Sequence, residues 1–83
     1  MKLLYFAWIR QRVGKSEETI SLPGTISDVA GLIGFLRGRG EGYEAAFRDP
    51  KAIRCAVNQN HAGLDARVGN GDEVAFFPPV TGG

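Results

Sequence analysis

The sequence predicts an α+β domain: a mixed sheet of four to five strands with one main helix packed on one face. Three observations lead there. Two strongly apolar segments stand at opposite ends of the chain, "LLYFAWI" at residues 3–9 and "VAFF" at 74–77. A single stretch of helical period lies between them, over residues 25–39. With 83 residues, the chain has room for one core and no more.

The first element, "KLLYFAWIR" over residues 2–10, lacks Gly and Pro and is rich in aromatic and aliphatic residues, which predicts a strand. Its two alternating sets, Leu3, Tyr5, Ala7, Ile9 and Leu4, Phe6, Trp8, are both apolar. Such a strand is covered twice, or covered once and adhesive on its other face. With one good helix available, the second arrangement is expected. Trp8 is then either an exposed contact or part of a covered face. A turn around Gly14 leads into a second strand over 15–22, which Pro23-Gly24 ends. A tight connection of this kind makes the first pair antiparallel.

The helix follows. Thr25 is the expected N-cap, with Asp28 completing a capping box at the positive end of the dipole. Ile26, Val29, Ala30, Ile33 and Leu36 share one face at 3.6-residue spacing. Arg37 and Arg39 suit the C-terminal end, where Gly38 and Gly40 stop the helix. Residues 41–48 allow one or two loose helical turns before Asp49-Pro50. "AIRCAVN" over 52–58 alternates as a half-buried strand, a short strand is expected near 62–64, and "EVAFFP" over 73–78 is the last. The order strand, strand, helix, strand, strand lets a right-handed crossover set the last strand parallel to the first, mid-sheet. This is the β-grasp, or ubiquitin-like, arrangement.

Composition excludes several functions. Ten Lys/Arg against nine Asp/Glu give a net charge of +1, without the basic excess of a nucleic-acid binder. No apolar run is long enough to span a membrane. One cysteine, Cys55, cannot close an internal disulfide, and no secretory signal is recognisable, so a cytoplasmic location is expected. "GKS" at 14–16 resembles the end of a phosphate loop, but the required first glycine is Ile9. "GEGYEA" at 40–45 follows a helix instead of a strand, so it is a helix stop and not a dinucleotide loop. His61 is the only histidine and has no Cys or His neighbour in sequence, so no metal site is expected. Glu17 and Glu18 occupy adjacent strand positions and face opposite ways, which rules out an acid/base dyad. No bound cofactor and no catalytic apparatus are expected within the domain.

What remains is the end, "PPVTGG". Pro78 and Pro79 lack amide donors, end sheet pairing and hold the chain extended. The sequence therefore divides into a domain over residues 1–77 and an extended, flexible tail over 78–83, which reaches up to about 20 Å. Gly82 and Gly83 carry no Cβ and can thread a channel too narrow for other residues. The reactive group would be the Gly83 carboxylate, whose pKa is ordinarily about 3.5. A carboxylate becomes an electrophile once a partner with ATP chemistry makes it an acyl adenylate.

"GDEVAFFPPVTGG" over 71–83, supported by "FAWIRQRVG" over 6–14 and "AVNQ" over 56–59, resembles the MoaD family, the ubiquitin-like sulfur carriers that form the small subunit of molybdopterin synthase. The resemblance implies that a MoeB-like enzyme adenylates Gly83 with ATP and that a sulfur-donating system converts it to a thiocarboxylate. The tail would then enter a MoaE-like large subunit, in a heterotetramer, and give sulfur to cyclic pyranopterin monophosphate held by that subunit. It also implies docking through Phe6, His61 and Phe77, with Pro78, Pro79, Val80 and Thr81 along the tail and Gly82 beside the reactive Gly83. At His61 the chain departs from the family, whose contact there is apolar. Sulfur carriage for thiamine or tRNA thiolation, or conjugation as a ubiquitin-like modifier, are the alternatives for a Gly-Gly terminus.

Overall fold

The computed structural model describes residues 1–79, and the expectations for Val80, Thr81, Gly82 and Gly83 lie outside them. Strands β1 (Lys2–Tyr5) and β5 (Glu73–Phe77) lie parallel at the centre of a five-stranded β-grasp sheet. β2 (Glu17–Thr19), β3 (Arg54–Val57) and β4 (Asn60–Ala62) complete it in the order β2-β1-β5-β3-β4, with every neighbour except β1 and β5 antiparallel. The two most apolar segments thus occupy the two positions best shielded at the middle, as their composition predicts.

The first segment corrects the sequence reading. It does not run as a strand to Arg10: it turns at Ala7 (φ 54°) into helix α1 (Ala7–Val13). Phe6 is the last extended residue, and its N–H donates to the carbonyl of Phe76 at 3.1 Å. The Phe6 carbonyl then accepts from Ile9 and Arg10, opening the helix. Three consecutive polar residues, Arg10 to Arg12, cannot alternate across a sheet, whereas Ile9 and Val13 fall on one helical face. Gly14 (φ 90°) closes α1 in the left-handed conformation, its N–H donating to the Arg10 carbonyl at 2.8 Å.

Helix α2 (Val29–Arg37) is shorter than expected and starts from Asp28 instead of Thr25. The Asp28 carboxylate accepts from Gly31 N at 2.8 Å. The next orphan amides, Val29 and Ala30, donate to the carbonyls of Ala66 and Leu64 in the loop before β5. Val29, Leu32, Ile33 and Leu36 are buried; Ala30, expected inside, is exposed. Helix α3 (Glu41–Phe47) and a 3-10 turn (Pro50–Ala52) follow. The described residues therefore form three α-helices where one was prominent in the sequence.

β4 begins two residues earlier than expected, because Asn58 and Gln59 (φ 50° and 71°) form a two-residue turn linking Val57 to Asn60. The core gathers between the helices and the sheet face carrying Leu3, Tyr5, Cys55, Val74 and Phe76. Phe47 meets Phe76 edge-on at 4.8 Å between centroids, and Tyr5 lies nearly parallel to Phe76 at 6.4 Å. Burying an aromatic ring of this size contributes about 2–3 kcal/mol. Because all three helices cover this one face, the opposite face carries no helix among the described residues.

Candidate functional site: the open sheet face at the end of β5

Period-two alternation decides what the open face shows. With Tyr5, Val74 and Phe76 turned inward, Leu4, Phe6, Ala75 and Phe77 turn outward. The register then aligns Leu4 with Ala75, Ala75 with Ala56, and Ala56 with His61. His61 reaches back over this row, its ring edge-on to Phe77 at 5.6 Å and 84°. Phe6, His61, Phe77 and Pro78 rim a shallow hollow of about 510 Å³ with Ala75 at its floor.

The hollow is apolar at its walls and sits where β5 hands over to Pro78 and Pro79. Phe6 is 47% exposed, and Leu64 is the only other large hydrophobic so exposed among the described residues. Scattered apolar side chains are ordinary on a protein surface, whereas a contiguous exposed cluster of this kind is not. The structure therefore brings together four residues singled out in the sequence, Phe6, His61, Phe77 and Pro78, with Pro79 next along the chain. Val80, Thr81, Gly82 and Gly83 lie outside the described residues.

Ala75 was not singled out. Its signal was available: it stands two residues before Phe77 and shares its face. Trp8 is not part of this face. The break after Phe6 carries it into α1, where the Arg12 guanidinium lies 4.6 Å from its ring centroid.

Among the described residues no group of three His, Cys, Asp or Glu converges on one point. Cys55 is buried, its Sγ donating to the Ala62 carbonyl at 3.3 Å, and burial pushes its thiol up from its ordinary value. Such a thiol is a poor nucleophile. No helix among the described residues is long and apolar enough to cross a membrane.

A model of the ThiS family matches residues 3–83, the apolar open face and the Gly-Gly end included. The chain belongs to the ThiS family. This ThiS-family chain is 36% identical over its whole length to the molybdopterin synthase sulfur carrier subunit of Escherichia coli, covering 99% of that protein. It is 35% identical, with the same coverage, to the protein of that name from Haemophilus influenzae. Its fold is shared with the small archaeal modifier protein 1 of Haloferax volcanii, at a TM-score of 0.76 and 28% identity, covering all of this chain and 98% of that one. These relatives agree with the resemblance carried by residues 71–83.

Proposed function

We propose that this protein is the sulfur carrier subunit of a molybdopterin synthase. In this reading Gly83 is adenylated by a MoeB-like enzyme using ATP, which makes its carbonyl carbon an electrophile. A sulfur donor displaces AMP and leaves a thiocarboxylate. The sulfur then attacks cyclic pyranopterin monophosphate held by a MoaE-like large subunit, and repeated delivery builds the dithiolene. The domain itself binds no cofactor. It supplies a rigid handle, the Phe6–Phe77 hollow for docking, and two prolines that direct the chain away from the sheet. A cytoplasmic setting suits a lone buried thiol and an ATP-dependent partner.

The single observation carrying this reading is full-length identity of about one third to sulfur carrier subunits of that name, running through to Gly83. Reconstitution tests it. The thiocarboxylate form, a large subunit and the pyranopterin precursor are combined and dithiolene product is measured. Product is expected with the full chain and none after removal of Gly83, with an unchanged thermal midpoint. Product from the truncated chain would falsify the mechanism.

Likeness to an archaeal modifier protein favours a second reading, conjugation of Gly83 to lysines. Mass spectrometry separates the two: a terminal oxygen replaced by sulfur indicates carriage, whereas species enlarged by a whole second protein indicate conjugation.

A further inference from the structure

A second hollow lies on the helix side of the sheet, walled by α1, α3 and the 3-10 turn. It encloses about 340 Å³ and is lined by Trp8, Arg12, Ala45, Arg48, Asp49 and Ala52 among others. Its position follows from the strand register. Trp8 stands three residues after Tyr5, the partner of Phe76, and Ala52 two residues before Arg54, the partner of Phe77. Since α1 follows β1 and the 3-10 turn precedes β3, this hollow lies toward the end of the sheet where β5 finishes, on the face opposite the apolar one.

Their chemistry differs. Arg12 lies over the Trp8 ring and its Nη1 donates to the Ala45 carbonyl at 3.3 Å. Among the described residues neither Arg12 nor Arg48 has an ion-pair partner. One Oδ of Asp49, the hollow's only carboxylate, accepts from Lys51 N and so holds the 3-10 turn. The lining thus holds two guanidinium groups against one carboxylate, an excess of one positive charge, with Arg12 stacked on the Trp8 indole and Glu44, outside the lining, also acting on Arg48. A guanidinium presents a planar donor fork that matches a carboxylate.

We propose that this hollow receives an Asp or Glu side chain from the mouth of the channel that accepts the tail, pairing with Arg12 and Arg48. The inference rests on the docking role given above to the end of β5. An enzyme that takes in residues 78–83 must surround their point of exit, and so meets both hollows. The apolar one supplies contact area; the cationic one fixes orientation and speeds encounter.

The test measures affinity of the full-length protein for its large subunit and for its adenylating enzyme, at low and high salt. The proteins compared are wild type, Arg48→Gln, Arg12→Gln/Arg48→Gln and Phe77→Ala. Arg48 makes no described side-chain hydrogen bond, so its single substitution leaves the fold intact even if loss of Arg12 disturbs Trp8. Arg48→Gln should weaken at least one complex several-fold and the double variant about tenfold at low salt, with the difference shrinking as salt screens the pair. Unchanged affinity in both complexes overturns the proposal, as does a loss independent of salt, which would reflect packing on Trp8. If Phe77→Ala weakens binding while the arginine variants do not, this inference fails and the docking reading stands. If neither has an effect, or no complex forms, both fail.

Discussion

The phenol of Tyr43 donates to Oε2 of Glu18 at 2.6 Å, and Tyr5 donates to the same oxygen at 2.8 Å. Arg39 reaches the other oxygen at 3.1 Å, joined by Lys15 at 3.6 Å. One carboxylate on the short edge strand β2 thus ties α3 and the α2–α3 turn to the sheet. Burial by itself would raise the Glu18 pKa, but hydrogen bonds from Tyr43 and Tyr5 and the charge of Arg39 outweigh it and hold it below its ordinary value. Tyr5 is pushed far up, by burial first and by Glu18 second.

The sign of the pH dependence follows. A carboxyl with a depressed folded-state pKa stabilises the fold above its unfolded value of about 4.3, and that contribution is lost as pH falls through the folded value. Acid unfolding of wild type should therefore include a Glu18 component that Glu18→Gln lacks. At neutral pH, Glu18→Gln should cost about 1–3 kcal/mol, because two phenols lose a charged acceptor. Urea unfolding at pH 7 and pH 3 checks both, and a difference between variant and wild type that stays constant with pH refutes the assignment.

Gly42→Ala should destabilise although alanine is the better helix former. A Cβ at Gly42 would collide with the Arg12 carbonyl oxygen where α3 crosses α1. Propensity favours alanine by about 1 kcal/mol, while forced separation of packed backbones costs about 1–3 kcal/mol or more. A lowered thermal midpoint is expected; a raised one would mean that α1 is free to move away.

Gln59→Gly should stabilise. Asn58 and Gln59 both hold positive φ, and Asn-Gly is the preferred pair for such a turn. Relief of left-handed strain, about 1–2 kcal/mol, is partly offset by the greater freedom of glycine when unfolded, leaving a gain of some tenths. Asn58 should not be exchanged, since its side chain binds Asp72 and the Glu73 amide. Chemical denaturation resolves the gain through the midpoint.

Phe77→Ala should weaken association with the large subunit by about 2 kcal/mol or more, as for a central aromatic anchor. Monomer stability should fall by less, because Phe77 is half-buried on the open face while Phe76 fills the core. Calorimetric titration set beside thermal melts compares the two, and equal losses would return Phe77 to the core.

Much of the candidate site was legible in the sequence for a simple reason. Alternation in "EVAFF" assigns Ala75 and Phe77 to one face and Val74 and Phe76 to the other whatever else the chain does. The position of α1 was less legible, because apolar residues at both alternating sets of 3–9 satisfy a strand template and mask the four-residue step from Ile9 to Val13. Gly14 was the available signal, as a left-handed helix stop and not merely a turn. The start of α2 was misjudged for a related cause: Thr25 and Asp28 are both good caps, and only the loop carbonyls of Ala66 and Leu64 select between them.

By itself the sequence determined the β-grasp order, the pairing of its two most apolar strands and the proline-to-glycine ending, because these depend on local periodicity and backbone chemistry. Tertiary structure alone decided which of two apolar faces is core. Among the described residues three helices pack on the Tyr5–Phe76 side and none on the Phe6–Phe77 side. It also decided that His61 leans on Phe77 and that Arg12 and Arg48 line one hollow on the helix side. Such meetings rest on long-range register and helix packing, which no local pattern encodes.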